Sequence, residues 1–118
     1  MALHTQLPIY KVAYDLFHLV VDYLQNAPRT FKALLGTHIG KLAAELLTLI
    51  FAANCAEDKQ PYLQALIERI EQMNLFLRLM RDKRHISIPQ YAAAVELTTS
   101  VAKQAIGWRN YYAVSPAT

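Results

Sequence analysis

Four prolines, Pro8, Pro28, Pro61 and Pro89, divide this chain into intervals of helical length. Proline has no backbone N–H and breaks a helix interior, yet it is tolerated in the first helical turn, where that N–H would lack a partner anyway. Each of these prolines therefore marks a helix start. The residues around them agree: Asn26-Ala27-Pro28 and Glu57-Asp58-Lys59-Gln60-Pro61 carry turn chemistry, Asp58 is placed to cap the third helix, and Ser87 followed by Gln90 fits a capping box. Ser115-Pro116 closes the pattern with a short tail. The punctuation predicts an all-α chain with helices over about 8–26, 29–54, 58–85 and 87–112, in one domain spanning 1–118. Short connections favour an antiparallel up-down-up-down four-helix bundle.

Hydrophobic periodicity assigns faces to these helices. In the first, Ile9, Val12, Ala13, Leu16, Val20 and Tyr23 form one apolar set, and Tyr10, Tyr14, Phe17, Val21 and Leu24 a second. Only Lys11, Asp15, His18, Asp22 and Gln25 are left as a polar stripe, so this helix needs cover on two sides. The second helix places Phe31, Leu35, Ile39, Leu42, Leu46, Leu49, Ile50 and Ala53 inward, with Gly36, Gly40 and Ala44 at intervals of four on another face. That small-residue face either packs closely inside the bundle or admits a helix from another subunit. The third carries Leu63, Leu66, Ile67, Ile70, Met73, Leu77 and Met80 at spacings of three and four, with Leu75 and Leu79 nearly opposite. The fourth is expected to bury Tyr91, Ala92, Val95, Thr98, Ala102 and Ile106.

Hydrophobic residues make up 54% of the chain and charged residues 18%, more apolar surface than one small bundle readily hides. The longest apolar runs are interrupted by Glu45 and Thr48, short of the roughly 20 residues of a membrane span. The first residues, Met1 to Gln6, show neither a basic region nor a cleavage site, which predicts no signal peptide and a cytoplasmic location. The surplus is instead expected to be covered by self-association, through Tyr10, Tyr14 and Phe17 on the first helix and Leu75 and Leu79 on the third.

No catalytic pattern is present. Glu-x-x-His, the unit of a bundle di-iron site, does not occur, and Asp82-x-x-His85 approaches it once at a helix end. There is no His-Glu-x-x-His, no Gly-x-Ser-x-Gly and no phosphate-cradling glycine loop. Cys55 is the only cysteine, so an intrachain disulfide is impossible and a thiolate zinc site is short of sulfur; it reads as a small residue near a helix end. His18, between Asp15 and Asp22, reads as a solvated histidine with a carboxylate neighbour, and His38 as structural. The expectation is a non-enzyme with no cofactor and no metal.

The formal charge is +3, and it is concentrated: Arg78, Arg81, Lys83 and Arg84 are opposed only by Asp82 between them. These cations either complement the negative end of a helix, worth about 0.3–1 kcal/mol, or contact a polyanion with counterion release. Self-association favours the second reading, because symmetric copies repeat the patch.

With these elements in order, the chain resembles the four-helix-bundle family of the accessory variability determinant proteins of diversity-generating retroelements and the proteins encoded in 23S rRNA intervening sequences. The passages that carry the resemblance are Leu7-Pro8-Ile9-Tyr10, Pro28-Arg29-Thr30-Phe31-Lys32 with Leu35-Gly36, Leu75-Phe76-Leu77-Arg78-Leu79-Met80-Arg81, and Ile86-Ser87-Ile88-Pro89-Gln90-Tyr91 with Ile106-Gly107-Trp108. The resemblance implies a homopentameric barrel with a positive surface. For the retroelement branch it implies RNA or DNA binding and a reverse transcriptase partner, in support of mutagenic copying. By position it adds Arg29 and Lys32 to Arg78, Arg81, Lys83 and Arg84 as contacts for nucleic acid or polymerase. The intervening-sequence branch implies a structural or protein-binding bundle with no defined nucleic-acid role.

Overall fold

The computed structural model describes residues 3–114, with side chains through 112; Met1, Ala2 and the Ser115-Pro116 break lie outside the described residues. All regular structure among the described residues is helical. A 3-10 turn at His4–Gln6 leads into α1 (Pro8–Gln25), α2 (Arg29–Cys55), α3 (Gln60–Asp82) and α4 (Ile88–Val114). The helices pack around a shared core: α1 lies against α2 and α4, and α3 lies against the same two. The result is a bundle-like rod of 53 × 21 × 21 Å.

The starts follow the capping chemistry. Pro8 and Pro61 sit in first turns; the N-cap position of α3 is Lys59 and not the expected Asp58, whose Oδ1 accepts from Gln60 N–H at 3.2 Å in the turn just ahead. At α4 the capping box closes reciprocally: Ser87 N–H donates to Gln90 Oε1 at 2.8 Å, and Gln90 N–H to Ser87 Oγ at 3.1 Å.

The core stripes of three helices match their periodicity. Ile9, Ala13, Leu16, Val20 and Tyr23 are buried from α1, and Leu63, Leu66, Ile70, Met73, Leu77 and Met80 from α3. Each large side chain so covered is worth about 1.5–3 kcal/mol. From α2 come Phe31, Ile39, Leu42, Ala43, Leu46, Ile50 and Ala53. By length and mean hydropathy (1.4) α2 also meets the composition of a membrane span, which the interrupted-run reading had excluded. Only 28% of that apolar stretch is buried in the bundle, and Glu45 within it pairs with Arg69 of α3 at 3.0 Å.

Residues Lys32–Gly36 of α2 form a π-helical turn. Phe31 and Ile39 both reach the core, and eight residues of regular α-helix overshoot two full turns by about 80°. A wider π turn rotates less per residue, which brings Phe31 and Ile39 onto one face. The same turn leaves Leu34 80% exposed.

The fourth helix differs from expectation. Its buried residues are Ala94, Thr98, Val101 and Ala105, while Ala92 and Ile106 are exposed and Tyr91, Val95 and Ala102 only partly covered. The helix is rotated by roughly a quarter turn from the predicted face. Apolar residues surround α4, so periodicity alone could not fix its phase. Small Ala94 and Ala105 let it approach the leucines and methionines of its neighbours, whose volume fills the core. The one fully buried polar side chain among the described residues, Thr98, donates to Asn74 Oδ1 of α3 at 2.6 Å.

Candidate nucleic-acid interface

Two connections meet at one end of the rod. The α1–α2 turn is short: Asn26 Nδ2 donates to Asp22 O at 3.0 Å, Ala27 is buried, and Pro28 precedes α2. Phe31, just inside α2, sets its ring against His85 of the α3–α4 connection, with centroids 4.6 Å apart. Tyr23, near the end of α1, donates its hydroxyl to Gln90 O at 2.7 Å. Burial, followed by the charge of Asp22, raises the Tyr23 pKa, so the hydroxyl stays a donor. These contacts bring Arg29 and Lys32 to the same end as Arg78, Arg81, Lys83 and Arg84.

The end of α3 explains how its cations are presented. Arg84 has φ 63, a left-handed conformation. Around it Arg84 N–H donates to Arg81 O at 2.9 Å, and His85 N–H to Met80 O at 2.8 Å. This pattern satisfies the last carbonyls of α3 and turns the chain sharply toward α4. The expected helix to residue 85 thus stops at Asp82, and Lys83 and Arg84 project from the turn beyond it. His85 tucks its Nδ1 inside without a hydrogen-bond partner among the described residues.

The six cations are not equivalent. Lys32 Nζ donates to Gln25 O at 3.1 Å and so caps the C-terminus of α1. Arg81 donates through Nε and Nη2 to Asp82 Oδ1, at 3.1 and 2.8 Å, and lies 4.5 Å from the centre of the Tyr91 ring. The hydrogen bond to Asp82 raises its already high pKa. Arg29, Arg78, Lys83 and Arg84 are exposed, and their side chains make no hydrogen bond or ion pair among the described residues. The sequence shows where positive charge is concentrated, but only the fold separates these four free cations from the two in structural use. Against the six stand Asp22, Asp82 and, beside Arg81, Glu96, so the excess of positive charge at this end equals the whole chain's +3.

The expected association surfaces are divided. Tyr14 is exposed, and Tyr10 and Phe17 are half-buried beside it, with the Tyr10 and Tyr14 rings stacked 6.4 Å apart. His4 sets its ring edge against both Tyr10 and Phe51, which brings exposed Phe51 into the same surface; the sequence reading missed it. Leu75 is 65% exposed, whereas Leu79 is partly covered by packing on the core, so the two leucines are not an equal pair. Gly36, Gly40 and Ala44 are half-exposed at the edge of the α1–α2 contact, where Leu24 lies over Gly40.

Other reactive groups are dispersed. His18 meets the ring of Tyr14, not a carboxylate, and His38 meets Phe76. Cys55 is exposed at the end of α2. No group of three or more His, Cys, Asp or Glu side chains among the described residues could hold a metal ion. The chain gives no match to known family models, to curated proteins or to solved structures.

Proposed function

We propose that this chain is a cytoplasmic, non-enzymatic adaptor whose antiparallel bundles assemble as a homopentamer and whose basic ends bind RNA or DNA beside a reverse transcriptase. The observation that carries the reading is the convergence of four cations with unpaired side chains onto one end, Arg29 from the start of α2, Arg78 from the last turns of α3, and Lys83 and Arg84 from the turn beyond it. Exposed guanidinium and ammonium groups suit phosphates, which need positive charge and give up counterions when they are neutralised. Short links between helices support the antiparallel order, as do the bonds joining Tyr23 to Gln90 and Gln60 to Arg109 at 2.7 and 2.9 Å.

Assembly rests on two unlike apolar surfaces, Tyr10, Tyr14 and Phe17 with Phe51 on one side and Leu75 with the edge of Leu79 on another. Unlike surfaces that pair head to tail generate a ring when the rotation closes. Such a ring repeats the basic end once per subunit. The resemblance to the retroelement accessory proteins supplies the number five and the polymerase partner.

Filter binding of RNA, DNA and hybrid duplex over a salt series tests the nucleic-acid claim. Affinity should fall steeply with salt, and replacing one phosphate-contacting cation should reduce the slope by about 0.9. Reversal of Arg78 and Arg84 to Glu should weaken binding at least about tenfold with helicity unchanged. Absence of binding at low salt, or affinity indifferent to salt, would leave the intervening-sequence type of bundle, with no nucleic-acid role.

A further inference from the structure

Beside the free cations lies a groove of a different chemistry. Two adjoining cavities, of about 560 and 640 Å³, share Arg81 and Ile88 in their lining. The first is bounded by Arg84, His85 and Ser87; the second by Tyr91, Ala92, Val95 and Glu96. Together they run from a cationic mouth, across an apolar floor, to a single carboxylate.

The geometry points to this groove as the docking site for an acidic, aliphatic segment of a protein partner. The inference rests on the adaptor reading for the existence of such a partner. Three observations specify its chemistry. Ile88 is 74% exposed at the first position of α4, where a polar or acidic side chain would suit the helix better. The rotation of α4 that sends Ala94 and Val101 inward leaves Ala92 and Val95 as a shallow floor with room for a partner's aliphatic side chain. Arg81 is held in place by Asp82 and Tyr91, yet its Nη1 makes no hydrogen bond among the described residues. An immobilised guanidinium loses little entropy when it donates to an incoming carboxylate. Arg84 stands unpaired at the mouth.

A nucleic-acid strand matches this groove poorly. A face of Tyr91 on which a base could stack is taken by Arg81, and the floor between Ile88 and Val95 is apolar; Glu96 repels any anion, so a partner's carboxylates are confined to the end bounded by Arg81 and Arg84. From Ile88 to Glu96 the helix rises by about 12 Å, the length of two turns of a partner helix. The fitting segment therefore places carboxylates toward Arg81 and Arg84 and one or two aliphatic side chains over Ile88 and Val95.

Fluorescence anisotropy tests the assignment with a fluorescein-labelled helical peptide that carries leucines and glutamates on one face. The control is the same peptide with glutamine for glutamate. RNA binding is measured in parallel on the same protein samples. Saturable binding of the glutamate peptide is expected, about tenfold tighter than the control. Ile88→Asp should weaken it at least about tenfold, and Arg84→Glu similarly. Acidic groups are favoured in a first helical turn, so Ile88→Asp should fold as well as the parent. Equal affinity for the two peptides, or an Ile88→Asp variant within twofold of wild type, overturns the proposal. Loss of RNA affinity in Ile88→Asp as large as the loss of peptide affinity would assign the groove to nucleic acid instead and overturn it too. Peptide binding by a protein that fails to bind RNA at low salt would uphold the groove and remove the nucleic-acid reading alone.

Discussion

At Arg84 backbone and side chain pull in different directions. A left-handed residue closing a helix is ordinarily glycine, because any Cβ there crowds the neighbouring backbone. Arginine at φ 63 forfeits about 1 kcal/mol. Arg84→Gly should therefore raise stability by about that amount, seen as a higher urea midpoint with an unchanged slope. The same variant should bind RNA more weakly, since an unpaired cation is lost. A variant no more stable than the parent would contradict the description of this turn. The charge at Arg84 was legible in the sequence; its conformation was not, because left-handed caps are announced by glycine or asparagine and neither is present. Lys32 shows the converse limit. The resemblance offered it by position as a contact for nucleic acid or polymerase, and its bond from Nζ to Gln25 O became visible only in the fold.

Among the helices, legibility tracked amphipathicity. The core stripe of α3 alternates spacings of three and four from Leu63 to Met80, and all six of its buried residues could be named in advance. The starts lie within two residues of those read from prolines and caps, with Ser87 and Gln90 bonded as a capping box requires, whereas α3 ends three residues early at its left-handed turn. For α4 the pattern failed, since alanine, valine and isoleucine lie on every side and its phase is set by which small residues fit against α1 and α3. Thr98 anchors that phase through its bond to Asn74. Thr98→Val keeps the shape and deletes the hydroxyl, so it should cost about 1–2 kcal/mol in chemical denaturation. A cost near zero would mean that packing alone orients α4. The π turn in α2 was equally hidden, since it resolves a mismatch between Phe31 and Ile39 that exists only once both are buried.

On the scale of the whole molecule, the rod is polarised. Arg29 and the cluster beginning at Arg78 are far apart in sequence and are brought together by the contact of Phe31 with His85 and the bond from Tyr23 to Gln90. The sequence could thus show one basic cluster, while the composite end needed tertiary structure. Exposed Tyr14, Phe51 and Leu75 leave apolar surface along the sides, so the subunit is expected to hide those sides against its own copies and repeat the basic end around a ring. Sedimentation equilibrium at micromolar concentration measures this directly. The expected result is one species of about five times the 13.4 kDa chain mass. A single 13.4 kDa species that persists as concentration rises would contradict the assembly, and with it the repeated cationic surface.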